Sequence, residues 1–314
     1  MGKKSRNRNR AAQDPPREEG AVGPRQPCPC GSGRRYKNCH GSAAGAPPVY
    51  ATRPFDGLVS EADVVALREF VPAATAPLAL RDSERQVMLC SLLPGAAPAL
   101  VRESGAIWLG LQVQHAYGDP SRDLAAVLTR ALDAEPGEVV GLPADPGGGH
   151  RLQDLVADEP LEVSVHPGFD YWVSDVEDED GALASALASA NEAAAPTERV
   201  EGVEAAYWTS MGGHEYLRWV IAQDEDQVLD ALARLHAAGE DSLVDGDRLI
   251  GMFRAHGLVV PVWDLPLGTG AAALAGPAAE LREKLDRSVT EGVALTPQER
   301  SARAGLTSRQ LTIR

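Results

Sequence analysis

Residues 27–41 read PCPCGSGRRYKNCHG, and they hold three of the four cysteines in this 314-residue chain. A histidine follows the third cysteine directly. The spacing Cys28-x-Cys30-x8-Cys39-His40 places four soft or borderline ligands within a short loop. Zn²⁺ takes four such ligands in a tetrahedron, and a site filled entirely by protein is structural, with no open place for a reacting water. Gly31 and Gly33 permit a sharp turn after the first pair, and Pro27 and Pro29 stiffen the approach. Three thiolates and a neutral imidazole leave zinc with a net charge of −1. Arg34, Arg35 and Lys37 stand in the intervening loop, where they offset that charge and keep the thiolates ionised. A unit this small has no core of its own, so metal binding must supply its folding free energy, ~10–16 kcal/mol in comparable peptides. Disulfide bonding is the weaker alternative, because thiols at ligand spacing in a reducing compartment rarely bridge. A redox pair needs Cys-x-x-Cys, whereas the spacing here is Cys-x-Cys.

The stretch PCPCGSGRRYKNCHG resembles the SEC-C motif, the zinc-binding unit at the C-terminus of the preprotein translocase motor SecA. The resemblance implies that Cys28, Cys30, Cys39 and His40 are the zinc ligands, and no ligand position departs from the pattern. In SecA the unit binds an export chaperone and ribosomes, so the resemblance implies a protein or ribosomal partner here. It covers about fifteen residues and goes no further. The chain has no G-x-x-x-x-G-K-[ST] phosphate loop, which excludes an ATPase motor. The layout as a whole (basic start, SEC-C unit, acidic Ala-rich body) is similar to an uncharacterised actinobacterial family, and that likeness supplies no activity.

The elements that must carry this unit are unevenly charged. Residues 1–45 hold ten Lys/Arg against three Asp/Glu, a net of +7, so the remainder carries −22 of the overall −15. A basic arm is attracted to RNA and other polyanions, while an acidic body is repelled by them. The arm therefore contacts either RNA or its own acidic body. MGKKSRNRNR has no apolar segment behind its charges, which argues against a secretory signal. No run approaches the roughly 18 apolar residues of a membrane span. Cys90 has no partner outside the cluster, and thiol usage of this kind points to the cytoplasm.

Composition divides the chain into a disordered arm at 1–26, the SEC-C unit at 27–41, a linker at 42–49 marked by the GSAAGAPP run at 41–48, an acidic domain at 50–270 and a helical tail at 271–314. Three strand-like runs precede helices with acidic starts, in a loose strand–strand–helix repeat. In the first helix Leu124, Val127, Leu128, Ala131 and Leu132 form one apolar stripe. In the third, Val228, Leu232 and Leu235 do so. Asp119, Asp178, Asp180, Asp224 and Asp226 read as helix starts rather than catalytic acids. Ser60 caps a helix over 61–71, DGDRLIGMFRAHG reads as a helix stopping at Gly257, and LVVPVW reads as a strand with Pro261 at a sheet edge. Gly212-Gly213 marks a hairpin, and Trp172, Trp208, Trp219 and Trp263 fall in strand-like runs. The tail forms a helix near 277–290 and, after a Thr296–Glu299 capping box, a last helix ending at Gly305. The pattern is α+β.

DVEDEDG at 175–181 fails as a calcium loop, since Val176 and Leu187 would have to be oxygen ligands. DPGGGH at 145–150 reads as a connection, and the scattered histidines form no ligand set. The reading that results is a zinc-binding cytoplasmic adaptor docking through Arg34, Arg35 and Lys37. The alternative is an enzyme of unknown reaction in 50–270, recruited by the zinc unit; no catalytic motif is present.

Overall fold

The computed structural model describes residues 25–26, 35–38, 50–114, 118–143, 149–173 and 182–308. The chain divides into two compact units, 1–49 and 50–314. In the larger unit the order is α1 (Glu61–Glu69), β1 (Ala74–Pro77), β2 (Val87–Cys90), β3 (Ala99–Val101), β4 (Ile107–Gly110), α2 (Pro120–Leu132), β5 (Val139–Val140), α3 (Leu152–Leu155), β6 (Ser164–Val165), α4 (Ala182–Ala193), β7 (Thr197–Arg199), β8 (Ala206–Met211), β9 (His214–Trp219), α5 (Glu225–Ala238), β10 (Arg248–Ala255), β11 (Leu258–Leu265), α6 (Ala275–Glu291) and α7 (Pro297–Ser308). This is the mixed α+β class that the pattern implies.

The strands form two sheets. The first runs β5-β3-β4-β2-β1-β6, and its β2–β4 pair is parallel. The second runs β10-β11-β9-β8-β7, with every pair antiparallel. Two-residue turns set its register. Gly212-Gly213 joins β8 to β9 with φ of 64° and 80°, so the expected hairpin is present. His256-Gly257 joins β10 to β11 with φ of 48° and 84°. Positive φ at both central residues gives the turn whose twist matches the flanking strands.

That second turn overturns the helix expected over 245–257. Gly257 has the positive φ of a helix stop, but it closes a hairpin. The apolar spacing Leu249, Met252, Phe253 resembles a helical stripe only because a bulge between Leu249 and Gly251 shifts the register. Leu249 and Met252 enter one core, while Phe253 and Ala255 enter the other. Pro261 is likewise not at an edge, because β11 lies between β10 and β9. The β9 ladder covers only Val262–Leu265, so Pro261 falls one residue outside it and its missing N–H breaks no pair on that side. Trp172 lies in a 3₁₀ turn, Asp170–Val173, rather than a strand. The last helix passes through Gly305 to Ser308. The α2 stripe is as expected, with Leu124, Val127, Leu128 and Ala131 buried. Asp178 and Asp180 lie outside the described residues.

The second sheet is covered on both faces. Its residues alternate between two apolar cores: Tyr207, Val260 and Val262 face the first sheet with α1 and α2, whereas Ala206, Val259 and Trp263 face α5, α6 and α7. β11 is accordingly buried along almost its whole length.

Helix α1 joins the two sheets through charge as well as apolar packing. Glu61 and Asp63 are buried beside Val64, Val65 and Leu67. Arg53 donates to both oxygens of Glu61, at 2.8 and 2.7 Å, and to the Ala222 carbonyl at 2.7 Å. Tyr207 of β8 donates to Asp63 at 2.6 Å, and Arg199 of β7 at 2.8 Å. Burial pushes the Asp63 carboxyl up, and these two donors oppose the shift. At the other end of the sheet Glu215 accepts from Trp208 Nε1 at 2.8 Å, Gly268 N at 2.6 Å and Gly270 N at 3.0 Å. Those backbone donors hold its carboxyl below the usual range, against desolvation.

Two outcomes follow from these contacts. Asp63→Ala leaves the buried Tyr207 hydroxyl without its acceptor and the half-buried Arg199 without its carboxylate, and is expected to lower unfolding free energy by about 1–3 kcal/mol, measured by urea titration. Glu215 stabilises the fold above its unfolded-state pKa, and this contribution is lost as pH falls through the lower folded value. The stability gap between wild type and Glu215→Gln should therefore shrink between about pH 7 and about pH 3. A constant gap would remove the ionised clamp.

Candidate metal centre

In the smaller unit, the Gln26 carbonyl accepts a hydrogen bond from the Tyr36 amide at 2.8 Å. The chain is thus pinched on either side of residues 27–35, the segment that contains Cys28 and Cys30. Tyr36–Asn38 forms a 3₁₀ turn leading directly to Cys39 and His40. Arg25, Gln26, Arg35 and Lys37 are exposed, and Tyr36 is half-buried. Cys28, Cys30, Cys39, His40 and Arg34 lie outside the described residues. Three cysteines and a histidine fit zinc in kind and number.

The larger unit offers a different inventory. Among the described residues, no group of three or more His, Cys, Asp or Glu is arranged to hold a metal ion. Its described histidines are engaged individually. His256 Nε2 stands 2.8 Å from Glu69 Oε1 and 2.9 Å from Arg68 Nε, and the bond to His256 holds the Glu69 carboxyl down. His166 Nε2 meets Thr75 Oγ1 at 2.8 Å, and burial lowers its pKa. His236 Nδ1 meets Asp241 at 2.6 Å. Cys90 is a buried free thiol, and burial pushes its pKa up, away from the thiolate.

One aromatic cluster escaped the sequence reading. Phe169 stacks on Trp172 with centroids 4.4 Å apart, and Tyr171 packs against Trp108 and His166. The Tyr171 hydroxyl and Trp172 Nε1 both donate to the Leu92 carbonyl at 3.0 Å. Arg102 lies 4.4 Å from the Trp108 ring centroid. The FDYWV run was its only signal, and that run reads equally well as a strand. The inward acids Glu61 and Asp63 were also missed; they sit in EADVVALRE, where a helix start explains them without burial.

The strongly shifted carboxyl lies inside, and not in a cleft. Asp123 on α2 is 2% exposed. It is pushed up to about 6, by burial first and by neighbouring Asp119 second, against Arg68. Asp119 itself sits before the first turn of α2, as expected of a helix start, but its carboxylate serves Arg151 at 2.8 Å and makes no cap bond. Asp224 does cap α5, accepting from the amides of Asp226 and Gln227.

A raised carboxyl stabilises the fold in its protonated form, so its contribution is complete below the ordinary value of 3.8 and is lost as pH rises through about 6. Asp123→Asn is expected to raise the melting temperature at about pH 7.5 and to leave it nearly unchanged at about pH 4. Equal shifts at both values would exclude the buried-acid account.

Comparison with known proteins separates the two parts. Residues 54–314 match a family of unknown function, DUF5926, and residues 25–42 match the SEC-C motif. A short stretch is 58% identical over 33 residues to the protein translocase subunit SecA of Rubrobacter xylanophilus, covering 10% of this chain and 4% of that protein. A match of 66% identity over 29 residues is found to the protein translocase subunit SecA of Parabacteroides distasonis, covering 9% of this chain and 3% of that protein. The chain therefore spans only a few hundredths of the length of these relatives. No solved structure matches it. Among the described residues no helix is long and apolar enough to cross a membrane.

Proposed function

Because the chain belongs to the DUF5926 family of unknown function and carries a SEC-C motif ahead of that family's region, we propose that it is a zinc-binding interaction protein of the cytoplasm. The observation that carries this reading is the SEC-C match over residues 25–42, with three cysteines and a histidine at ligand spacing. Cys28, Cys30, Cys39 and His40 would hold one Zn²⁺, whose role is to fold the knuckle rather than to react. Arg34, Arg35 and Lys37 form the docking surface. Arg35 and Lys37 are exposed on either side of half-buried Tyr36, an arrangement suited to an acidic protein surface or to the phosphates of a ribosome. The basic arm at 1–26 adds long-range attraction, including to RNA, and the acidic body opposes indiscriminate coating of nucleic acid. The 42–49 segment is a linker, so the knuckle folds independently of the domain that begins near residue 50.

Three measurements test this. Elemental analysis of purified protein is expected to find one zinc per chain, with loss in a Cys39→Ser, His40→Ala variant. Affinity purification with the same pair of proteins should show partners lost from the variant; identical partner sets would sink the docking role. If the knuckle is independent, removing residues 1–49 leaves the melting temperature of the remainder unchanged, whereas a drop on removal or on chelation makes zinc an anchor of the body instead.

A further inference from the structure

Helix α7 is held differently from the two helices beside it. α5 buries Val228, Leu229, Leu232 and Leu235, and α6 buries Ala278, Leu281 and Leu285, all in the second core. Leu306 is the one buried residue among the described side chains of α7. It also touches β10, and its side-chain bonds to α5 are polar. It follows one ridge of α5, where Asp226, Asp230 and Arg234 recur every fourth residue.

Arg303 of α7 bridges that ridge, with Nη2 2.5 Å from Asp226 and Nε 2.7 Å from Asp230. Gln298 donates to the Ala237 carbonyl at 3.2 Å, near the opposite end of α5, so the two helices run antiparallel. Arg234 donates to the carbonyls of Ser288 and Val293, the latter in the connection between α6 and α7. The Asp226 side chain is 85% exposed. Exposed pairs of this kind are weak, and salt screens them. A groove of about 980 Å³ opens along the contact, lined by Asp226, Asp230, Leu295, Arg300, Arg303 and Thr307.

The connection consists of a helix stop followed by a helix start. Gly292 closes α6 with φ of 56°, and Val293 is exposed. The Thr296 amide then donates to Glu299 at 2.7 Å, and the Glu299 amide to Thr296 Oγ1 at 3.3 Å. This box caps α7 with its own residues, so the helix does not need α6 to begin.

We propose that α7 is a salt-gated strap: it leaves α5 as one piece while the second core stays folded. Its departure uncovers the apolar seat of Leu306 together with the carboxylates of Asp226 and Asp230. That surface complements an amphipathic helix bearing arginine, the kind of helix that α7 itself is.

Hydrogen exchange on the full chain tests the strap. Raising sodium chloride from about 50 mM to about 500 mM shortens the screening length to a few ångströms. Amides of 300–308 should then exchange faster while those of α5 and α6 keep their rates. Arg303→Gln should produce the same selective loss at low salt, roughly fivefold for a pair of ordinary strength. Leu306→Ala adds a second arm, and should free α7 at either salt. The proposal is overturned if α7 exchanges at the same rate as α5 and α6 under both salts, or if Arg303→Gln leaves its amides unchanged.

Discussion

Buried acids on α1 govern how the larger unit is assembled. Carboxylates carried out of water must be paired, or their desolvation opposes folding. Glu61 finds Arg53, and Asp63 finds Tyr207 and Arg199. Glu69, at the exposed end of the helix, finds His256 in the β10–β11 turn. Each partner lies outside α1, and most belong to the second sheet. The helix therefore specifies where that sheet sits, a selectivity that apolar contact alone lacks. Phe70 adds to it, with its ring edge-on to both Tyr207 and Phe253.

From that placement follows the layering of the rest. A sheet buried on both faces needs two apolar surfaces, and period-two alternation supplies them: β11 sends Val260 and Val262 one way and Val259 and Trp263 the other. The bulge in β10 lets an edge strand follow the same rule with an irregular sequence. Outward from this layer the attachment weakens in steps. α5 and α6 are held by apolar packing, and α7 by charge and one leucine. Stability and adaptability are thus segregated by depth, as expected where local opening follows the density of buried contacts.

The chain joins two chemistries. The SEC-C segment is small, basic and rich in soft metal ligands, while the DUF5926 region is large, acidic and held by its own cores. Under the proposed reading, zinc would substitute for a core in a segment too short to build one. The larger unit has no such need, and among its described residues there is no constellation of metal ligands. Two of its carboxyls with raised pKa, Asp63 and Asp123, are buried inside the fold.

Local chemistry was legible in the linear chain. The cysteine–histidine spacing identifies the SEC-C motif, the stripe in α2 marks a helix face, and Gly212-Gly213 marks a hairpin, because each depends only on residues close in sequence. The Thr296–Glu299 box is legible for the same reason. Long-range context decided the remainder. DGDRLIGMFRAHG has a helix's start, stop and apolar spacing, yet it pairs with β11 because Phe253 and Ala255 complete a core whose other members lie far along the chain. Pro261 sits inside a sheet because the neighbouring ladder happens to begin one residue later. Asp63 and Glu215 look like ordinary surface acids until Tyr207, Arg199, Trp208 and a glycine loop converge on them. Burial and pairing are properties of distant segments brought together, and no window of neighbouring residues contains them.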